Sequence, residues 1–166
     1  ITFKNPFTGK TFPVRADWDV ETAGPNGKLN VPDDVIVWDP VKQQWKKVPP
    51  GTQATSKVRF NFKFSNWHNG QKMDMKDILY SWYFTTEWGT QIDENDKTFD
   101  VEFTPIASQA VKTIIGIKPI DEDTIDVYVN YWHFDKAEIA DWAAIWSSVP
   151  WEITAAMEQA VIDGKA

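Results

Sequence analysis

The most constraining feature of the sequence is the segment KVRFNFKFSNWHNGQKMDMKDILYSWYF, residues 57–84, which changes its hydrophobic period in the middle. Its first part places Val58, Phe60, Phe62 and Phe64 at alternate positions, with charged or amide side chains between them. Successive side chains of a strand point to opposite faces, so this pattern predicts a strand over 57–64 with one buried face. A polar turn containing glycine follows directly.

The second part of the segment has the pattern of an amphipathic helix over 75–88. Asp74 is a good N-cap, and Asp77 stands three residues later, near the positive end of the predicted helix. Ile78 and Trp82 are four residues apart and begin an apolar stripe at helical spacing. A strand followed so closely by a helix predicts that the helix lies back on the sheet, with its aromatic residues covering the phenylalanines.

Further strands and two more helices are predicted in the rest of the chain. The strands are expected at 11–15, 35–38, 45–48, 113–118 and 125–130, with 1–34 otherwise a loop and 89–110 a polar loop. A second helix opens at Asp135 and Glu138, with Ile139, Trp142, Ala143 and Trp146 on one face, and a third covers 151–163, with Ile153, Met157, Ala160 and Val161 facing inward. Gly89 and Gly164 are expected to end the first and third helices. This order favours an α+β fold, an antiparallel sheet with hairpins packed against about three helices, in a single domain over 1–166.

Composition argues against several classes of protein. The chain has 166 residues, a formal net charge of -7 and no cysteine. Nucleic-acid-binding proteins usually present a basic stripe, and none is visible here. No apolar run reaches the length of a membrane span, so we expect no membrane insertion. No signal peptide is visible from the first residue onward. A mature or trimmed chain would look the same.

Aromatic content is the unusual part of the composition: ten Trp, ten Phe and four Tyr. Two interpretations compete, because tryptophans build cores and also form platforms for sugars or peptides. Most of these tryptophans fall on periodic apolar faces, which favours the core. The alternative is a stand-alone carbohydrate-binding module with exposed tryptophan platforms, for which Trp67, Trp88 and Trp132, at the ends of elements, are the candidates.

Motifs for catalysis are scarce, and the sequence predicts no enzyme, no cofactor and no catalytic residue. The only histidines, His68 and His133, are far apart and belong to no metal-spaced pair, so both are interpreted as turn residues. The acidic stretch DENDKTFD suggests an EF-hand calcium loop when aligned on Asp93. Lys97 then takes a ligand position and Thr98 the glycine position, so no metal site is predicted.

The segment 57–84 nevertheless resembles the hallmark segment of the family 5 extracellular solute-binding proteins, the peptide-type binding components of ABC importers. The matching residues are Phe60, Phe62 and Lys63 at the strand end, Phe64, Asn69 and Gly70 at the turn, and Met75, Asp77, Ile78, Tyr80, Ser81 and Trp82 in the helix. Asn69 replaces the usual Asp, the turn has extra residues, and Lys76 stands where Ala is usual. The stretch TIIGIKPIDEDTIDVYVN resembles the hairpin that follows in the family, so the resemblance covers about a third of the chain.

The resemblance implies a part of a larger, two-lobed protein that is extracytoplasmic, either periplasmic or anchored at the cell surface. The hallmark segment belongs to an additional domain of such proteins, so this chain is expected to be an accessory domain. Its expected partners are the remaining lobes, an ABC permease and, through the whole protein, a peptide or oligosaccharide solute. The matching residues form a structural turn, so the resemblance identifies no ligand-binding residue.

Overall fold

The computed structural model describes residues 2–4, 8–9, 11–13 and 16–165. They form an α+β fold, with a six-stranded antiparallel sheet in the order β3-β8-β10-β9-β5-β6 and two small two-stranded sheets. The strands are β1 Thr2–Lys4, β2 Thr11–Pro13, β3 Ala16–Thr22, β4 Leu29–Asn30, β5 Ile36–Asp39, β6 Gln44–Lys47, β7 Gln53–Ala54, β8 Ser56–Phe62, β9 Ile114–Pro119 and β10 Thr124–Val129. The helices are α1 Met75–Trp88, α2 Thr104–Thr113, α3 Lys136–Trp142 and α4 Trp151–Ile162.

Strand β8 lies inside the sheet and supplies the aromatic floor of the core. It pairs with β3 on one side and β10 on the other. Val58, Phe60 and Phe62 are buried, whereas Arg59 and Asn61 between them are exposed, which confirms the predicted faces. The strand ends two residues before the predicted end, and Phe64 lies half-buried beyond it, stacked on Phe62 at 5.3 Å between ring centroids.

Strand β10 is buried on both of its faces, because a cluster of apolar side chains covers each face of the sheet. Ile125 and Val127 belong to the main core, which includes Ile78, Trp82 and Ile139 from the helices. On the opposite face lies a smaller cluster formed by Tyr128 with Val31, Val35, Val48 and Ala54. The predicted hairpin is therefore confirmed, and it forms the centre of the fold.

Helix α1 begins and ends where the sequence predicts. Asp74 Oδ1 accepts a hydrogen bond from Lys76 N at 2.8 Å, and Asp77 Oδ2 accepts one from Asp74 N at 2.9 Å. Gly89 ends the helix for a different reason from the predicted one. Its φ is -86°, outside the left-handed region, and a Cβ there would lie 2.4 Å from the Cβ of Ala107. Gly89 is needed because α2 packs directly against this end of α1.

Helix α2 and strand β3 were not predicted. The segment 89–110 was interpreted as a polar loop, but residues from Thr104 onward form a helix with Pro105 in its first turn. Its apolar stripe is weak, since Ala107 alone among its residues is buried. Strand β3 is an edge strand with three acidic residues, so it lacks a clear hydrophobic alternation. The strand expected at 11–15 is present as β2, and Val14 and Arg15 lie outside the described residues.

Helix α3 starts as predicted, with Asp135 Oδ1 accepting a hydrogen bond from Ala137 N at 2.9 Å. It is only two turns long, so Trp146 lies beyond its end, where it packs edge-on against Phe60 and Phe62 at 4.9 and 5.3 Å. The predicted inward residue Ile139 is buried.

The predicted inward face of α4 is wrong at Ile153 and Met157, whereas Ala160 and Val161 of the same predicted face are half-buried. Ile153 and Met157 are 48% and 64% exposed, whereas Glu158 is only 6% exposed. The carboxylate of Glu158 turns inward because it accepts hydrogen bonds from three side chains of α1, described below. Gly164 follows the helix with a φ of +70°, as expected for a left-handed C-terminal stop.

Candidate functional site

The turn between β8 and α1, residues 65–74, is held by its own backbone. Trp67 N donates to Gln71 O, Gly70 N donates to Trp67 O, and Asn69 Oδ1 accepts a hydrogen bond from Gln71 N. Gly70 has a φ of +85°, which favours glycine. His68 is exposed at the tip of this turn. These contacts fit the interpretation of His68 as a turn residue.

Asp77 joins this turn to two helices. Besides Asp74 N, its carboxylate accepts hydrogen bonds from Trp67 Nε1 at 3.2 Å and from Trp151 N at 3.1 Å. The side chain of Asp77 is buried, and Trp67 is only 9% exposed. The proposed role of Trp67 as an exposed platform is therefore wrong, because its ring is buried in the turn.

The other two candidate tryptophans differ in their surroundings. Trp88 is half-buried, stacks on Phe84 at 5.1 Å and donates its Nε1 hydrogen to Glu158 at 3.0 Å. Trp132 is 38% exposed and stands next to His133. Nδ1 of His133 accepts a hydrogen bond from Asp135 N at 3.1 Å, in the loop that leads into α3. Of the three candidates, Trp132 is the most exposed.

A different set of aromatic residues forms a groove on the surface, which we call the aromatic groove. It has a volume of about 370 Å³ and is lined by Trp38, Trp45, Lys76, Leu79, Tyr80, Tyr83 and Trp151. Successive ring centroids lie 5.5 Å apart from Trp45 to Trp38, 4.7 Å from Trp38 to Tyr83, 5.0 Å from Tyr83 to Tyr80 and 5.7 Å from Tyr80 to Trp151. The planes of neighbouring rings are inclined by 44–83°, so the five rings form one connected row of edge-to-face and tilted contacts.

Local geometry explains how three separate parts of the chain build this row. Trp38 and Trp45 are directly opposite each other in the β5–β6 hairpin, so their side chains share one face of the sheet. Tyr80 and Tyr83 are three residues apart on α1 and therefore neighbours on its surface. Trp151 is the first residue of α4, where Asp77 binds its backbone amide.

Buried carboxylates hold the polar edges of these rings. Glu158 accepts hydrogen bonds from the hydroxyl groups of Tyr80 and Tyr83, the latter at 2.7 Å, in addition to the one from Trp88. Burial, reinforced by the bond to Glu158, raises the pKa of both tyrosines far above the usual range, so both phenols are neutral donors. The carboxylate therefore ties α4 to α1.

Glu87 plays the same part at the other end of the row. It is 2% exposed and accepts hydrogen bonds from Trp38 Nε1 at 2.6 Å, Gln43 Nε2 at 3.3 Å and Thr98 Oγ1 at 3.3 Å. Buried charges need such partners. With these ring edges bound to carboxylates inside the protein, the carbon surfaces of the rings are left to line the groove.

The acidic loop after α1 uses its carboxylates within the loop. Asp93 accepts a hydrogen bond from Asn95 N at 2.7 Å, and Asp96 accepts from Ile92 N and Thr98 N at 3.1 and 2.9 Å. Within residues 2–4, 8–9, 11–13 and 16–165, no group of three or more His, Asp or Glu side chains is placed to hold a metal ion. No helix in the same ranges is long and apolar enough to cross a bilayer.

Sequence comparisons place the chain in no known family: no protein-family model matches it, and no curated protein matches it. The resemblance of residues 57–84 therefore stays a prediction.

Proposed function

We propose that the chain is a non-catalytic binding module, one domain of the substrate-binding component of an ABC importer for peptides or oligosaccharides, acting outside the cytoplasm. The observation that carries this proposal is the strand–turn–helix unit of residues 57–84. Phe60, Phe62 and Trp82 from this unit are core residues of the sheet and α1. Gly70 has the left-handed φ that the turn requires. The resemblance implies a strand, a structural turn and a helix start at these residues, and this arrangement supports the proposal.

Exposed apolar side chains near the start of α2 and on α4 support a place in a larger protein. Val101 and Ile106, around the start of α2, are 72% and 75% exposed, and Ile153 and Met157 on α4 are also largely exposed. Met157 of α4 and Phe103, the residue just before α2, line the same groove. Large exposed apolar surfaces mark interaction sites. In the proposal this surface packs against the remaining lobes of the parent protein, which close around solute and are then recognised by the permease.

The full open reading frame that encodes these residues provides the test. Its product is expected to contain two flanking lobes, and its thermal unfolding midpoint is expected to rise with a member of a di- to pentapeptide or oligosaccharide library. The 166-residue chain alone is expected to bind the same solute no tighter than about 1 mM, because one wall cannot bury most of a ligand's surface. A reading frame without flanking lobes would refute the proposal.

A second candidate function is a stand-alone carbohydrate-binding module, and the aromatic groove is the observation that favours it. Five aromatic rings in a row resemble a platform for sugar rings more than a random set of surface residues. The two functions predict different affinities of the 166-residue chain for a glycan. A stand-alone module is expected to bind a glycan at micromolar concentration as the 166-residue chain, whereas the importer domain is not.

A further inference from the structure

We propose that the aromatic groove is a sugar-binding subsite that stacks one or two pyranose units of a neutral oligosaccharide. The inference rests on the proposed function as a binding module and deepens it, since it selects oligosaccharides over peptides as the solute class. It also assigns the contact to Trp45, Trp38, Tyr83, Tyr80 and Trp151, of which none was a candidate from the sequence.

The shape of the groove carries the first step. Each pyranose ring has a face of C–H groups that packs on an aromatic ring, in the way that other apolar groups do. The rings from Trp45 to Trp151 follow one another at centroid distances of 4.7–5.7 Å, and the planes of neighbouring rings are inclined by 44–83°. The groove therefore presents both ring faces and ring edges to a ligand, and its volume of about 370 Å³ is the space available to one or two sugar rings.

The polar groups of the groove carry the second step. Lys76 is the one charged residue in its lining, and its ammonium group is a donor. Within the described residues, the indole N–H groups of Trp45 and Trp151 donate no hydrogen bond, so both are available to a ligand. Sugar hydroxyl oxygens accept hydrogen bonds from such donors.

The scarcity of acids in the lining carries the third step. Among the described residues the lining contains no Asp or Glu, although the carboxylate of Asp74 lies 3.9 Å from the Lys76 ammonium group. The carboxylates of Glu87 and Glu158 are buried and already accept three hydrogen bonds each. A peptide carries an N-terminal ammonium group that needs an acceptor. The lining itself therefore offers mainly donors and carbon surfaces to a ligand, which favours a neutral sugar over the charged N-terminus of a peptide.

Rigidity carries the last step. Trp38 is fixed by Glu87, and Tyr80 and Tyr83 are fixed by Glu158, so these rings are held in place before a ligand arrives. Side chains that are already ordered lose little conformational entropy on binding. We expect the side chains of Lys76 and Trp45 to change conformation when a ligand binds.

The test is an NMR titration of the isotope-labelled chain that follows the indole N–H signals. The probes are linear tetrasaccharides of β-1,4-linked glucose, α-1,4-linked glucose and β-1,4-linked mannose, with tetraalanine as the peptide probe. At least one glycan, at concentrations up to about tenfold above 1 mM, is expected to shift the signals of Trp45 and Trp151. Tetraalanine is expected to leave both signals in place.

Three variants and one matched control separate stacking from folding. Trp45→Ala and Trp151→Ala are expected to weaken glycan binding roughly tenfold. Trp45→Phe, which keeps a ring at the same position, is expected to bind within about threefold of the parent chain. Trp18→Ala, the control, removes a tryptophan outside the groove that is exposed to the same extent as Trp132, and it is expected to bind as the parent does. The amide spectrum of each variant reports whether it is folded.

Several outcomes would overturn the inference. They are the absence of any indole shift with all three glycans, equal binding by folded Trp45→Ala and parent chains, and groove shifts with tetraalanine alone. None of these results bears on the flanking lobes of the full reading frame, so the importer proposal would survive each of them. Conversely, a reading frame without lobes together with groove-specific glycan shifts would refute the importer proposal and keep the sugar-binding subsite.

Discussion

Replacing Asp77 is the sharpest test of how this fold is held together. Its carboxylate accepts hydrogen bonds from Asp74 N, Trp67 Nε1 and Trp151 N, and so connects the start of α1, the turn before it and the start of α4. Asp77→Ala removes all three acceptor contacts at once. Because Trp151 also lines the aromatic groove, the same change reaches from the core to the proposed binding surface.

The size of the effect follows from the three donors. The indole N–H of Trp67 is nearly buried, and a buried donor without a partner costs about 1–3 kcal/mol. The other two donors are backbone amides at helix N-termini, where loss of a cap costs about 1 kcal/mol each. Asp77→Ala should therefore reduce the free energy of unfolding by roughly 3–5 kcal/mol. A domain of this size has about 5–15 kcal/mol in total, so we expect the variant to fold with a much lower denaturation midpoint.

Urea denaturation followed by tryptophan fluorescence measures the difference, with two variants for comparison. Asp77→Asn keeps an acceptor oxygen for Trp67 and Trp151 and should lose only about 1 kcal/mol. Asp74→Ala removes the N-cap side chain alone and should also cost about 1 kcal/mol. If Asp77→Ala were no more destabilising than Asp74→Ala, the Asp77 carboxylate would act only as an ordinary helix cap. This result would refute the inference that it stabilises the contact between α1, the preceding turn and α4.

Three further predictions follow from the packing and the buried phenols. Phe62→Ala should cost roughly 3–5 kcal/mol in chemical denaturation, and a loss below about 1 kcal/mol would contradict its place in the core. Gly89→Ala should cost about 1–3 kcal/mol, because the new Cβ would meet Ala107, whereas an unchanged midpoint would show that α2 moves aside freely. Burial raises the pKa of Tyr128 to about 12, and burial with a carboxylate contact raises the pKa of Tyr83 even further. Since unfolded tyrosine ionises near pH 10, stability should be complete below about pH 10 and fall as the pH rises towards 12, and a flat denaturation midpoint over that range would contradict it.

The strand–turn–helix unit could be predicted from the sequence because all of its signals are local. The alternation of Phe60 and Phe62, the left-handed position of Gly70 and the capping pair Asp74 and Asp77 each act within a few residues of chain. Local periodicity does not show which carboxylate accepts from a distant tryptophan. The contact from Trp67 to Asp77 therefore became visible only in the structure, and with it the reason why Trp67 is not a surface platform.

Helix α4 shows why the binding surface was harder to predict than the core. Hydrophobic periodicity predicts that Ile153 and Met157 face inward, but both are exposed. The buried face of α4 instead contains Glu158, because its carboxylate accepts hydrogen bonds from three side chains of α1. The sequence did contain one signal for this arrangement, since Tyr80 and Tyr83 stand on one face of α1 and two phenols on a buried face need an acceptor. Their acceptor lies 75 or more residues away along the chain, at a position that looks solvent-exposed by pattern alone. The inward position of Glu158 orients the phenol rings along the aromatic groove and leaves Ile153 and Met157 of α4 exposed to a partner, so one buried carboxylate connects both proposed interaction surfaces.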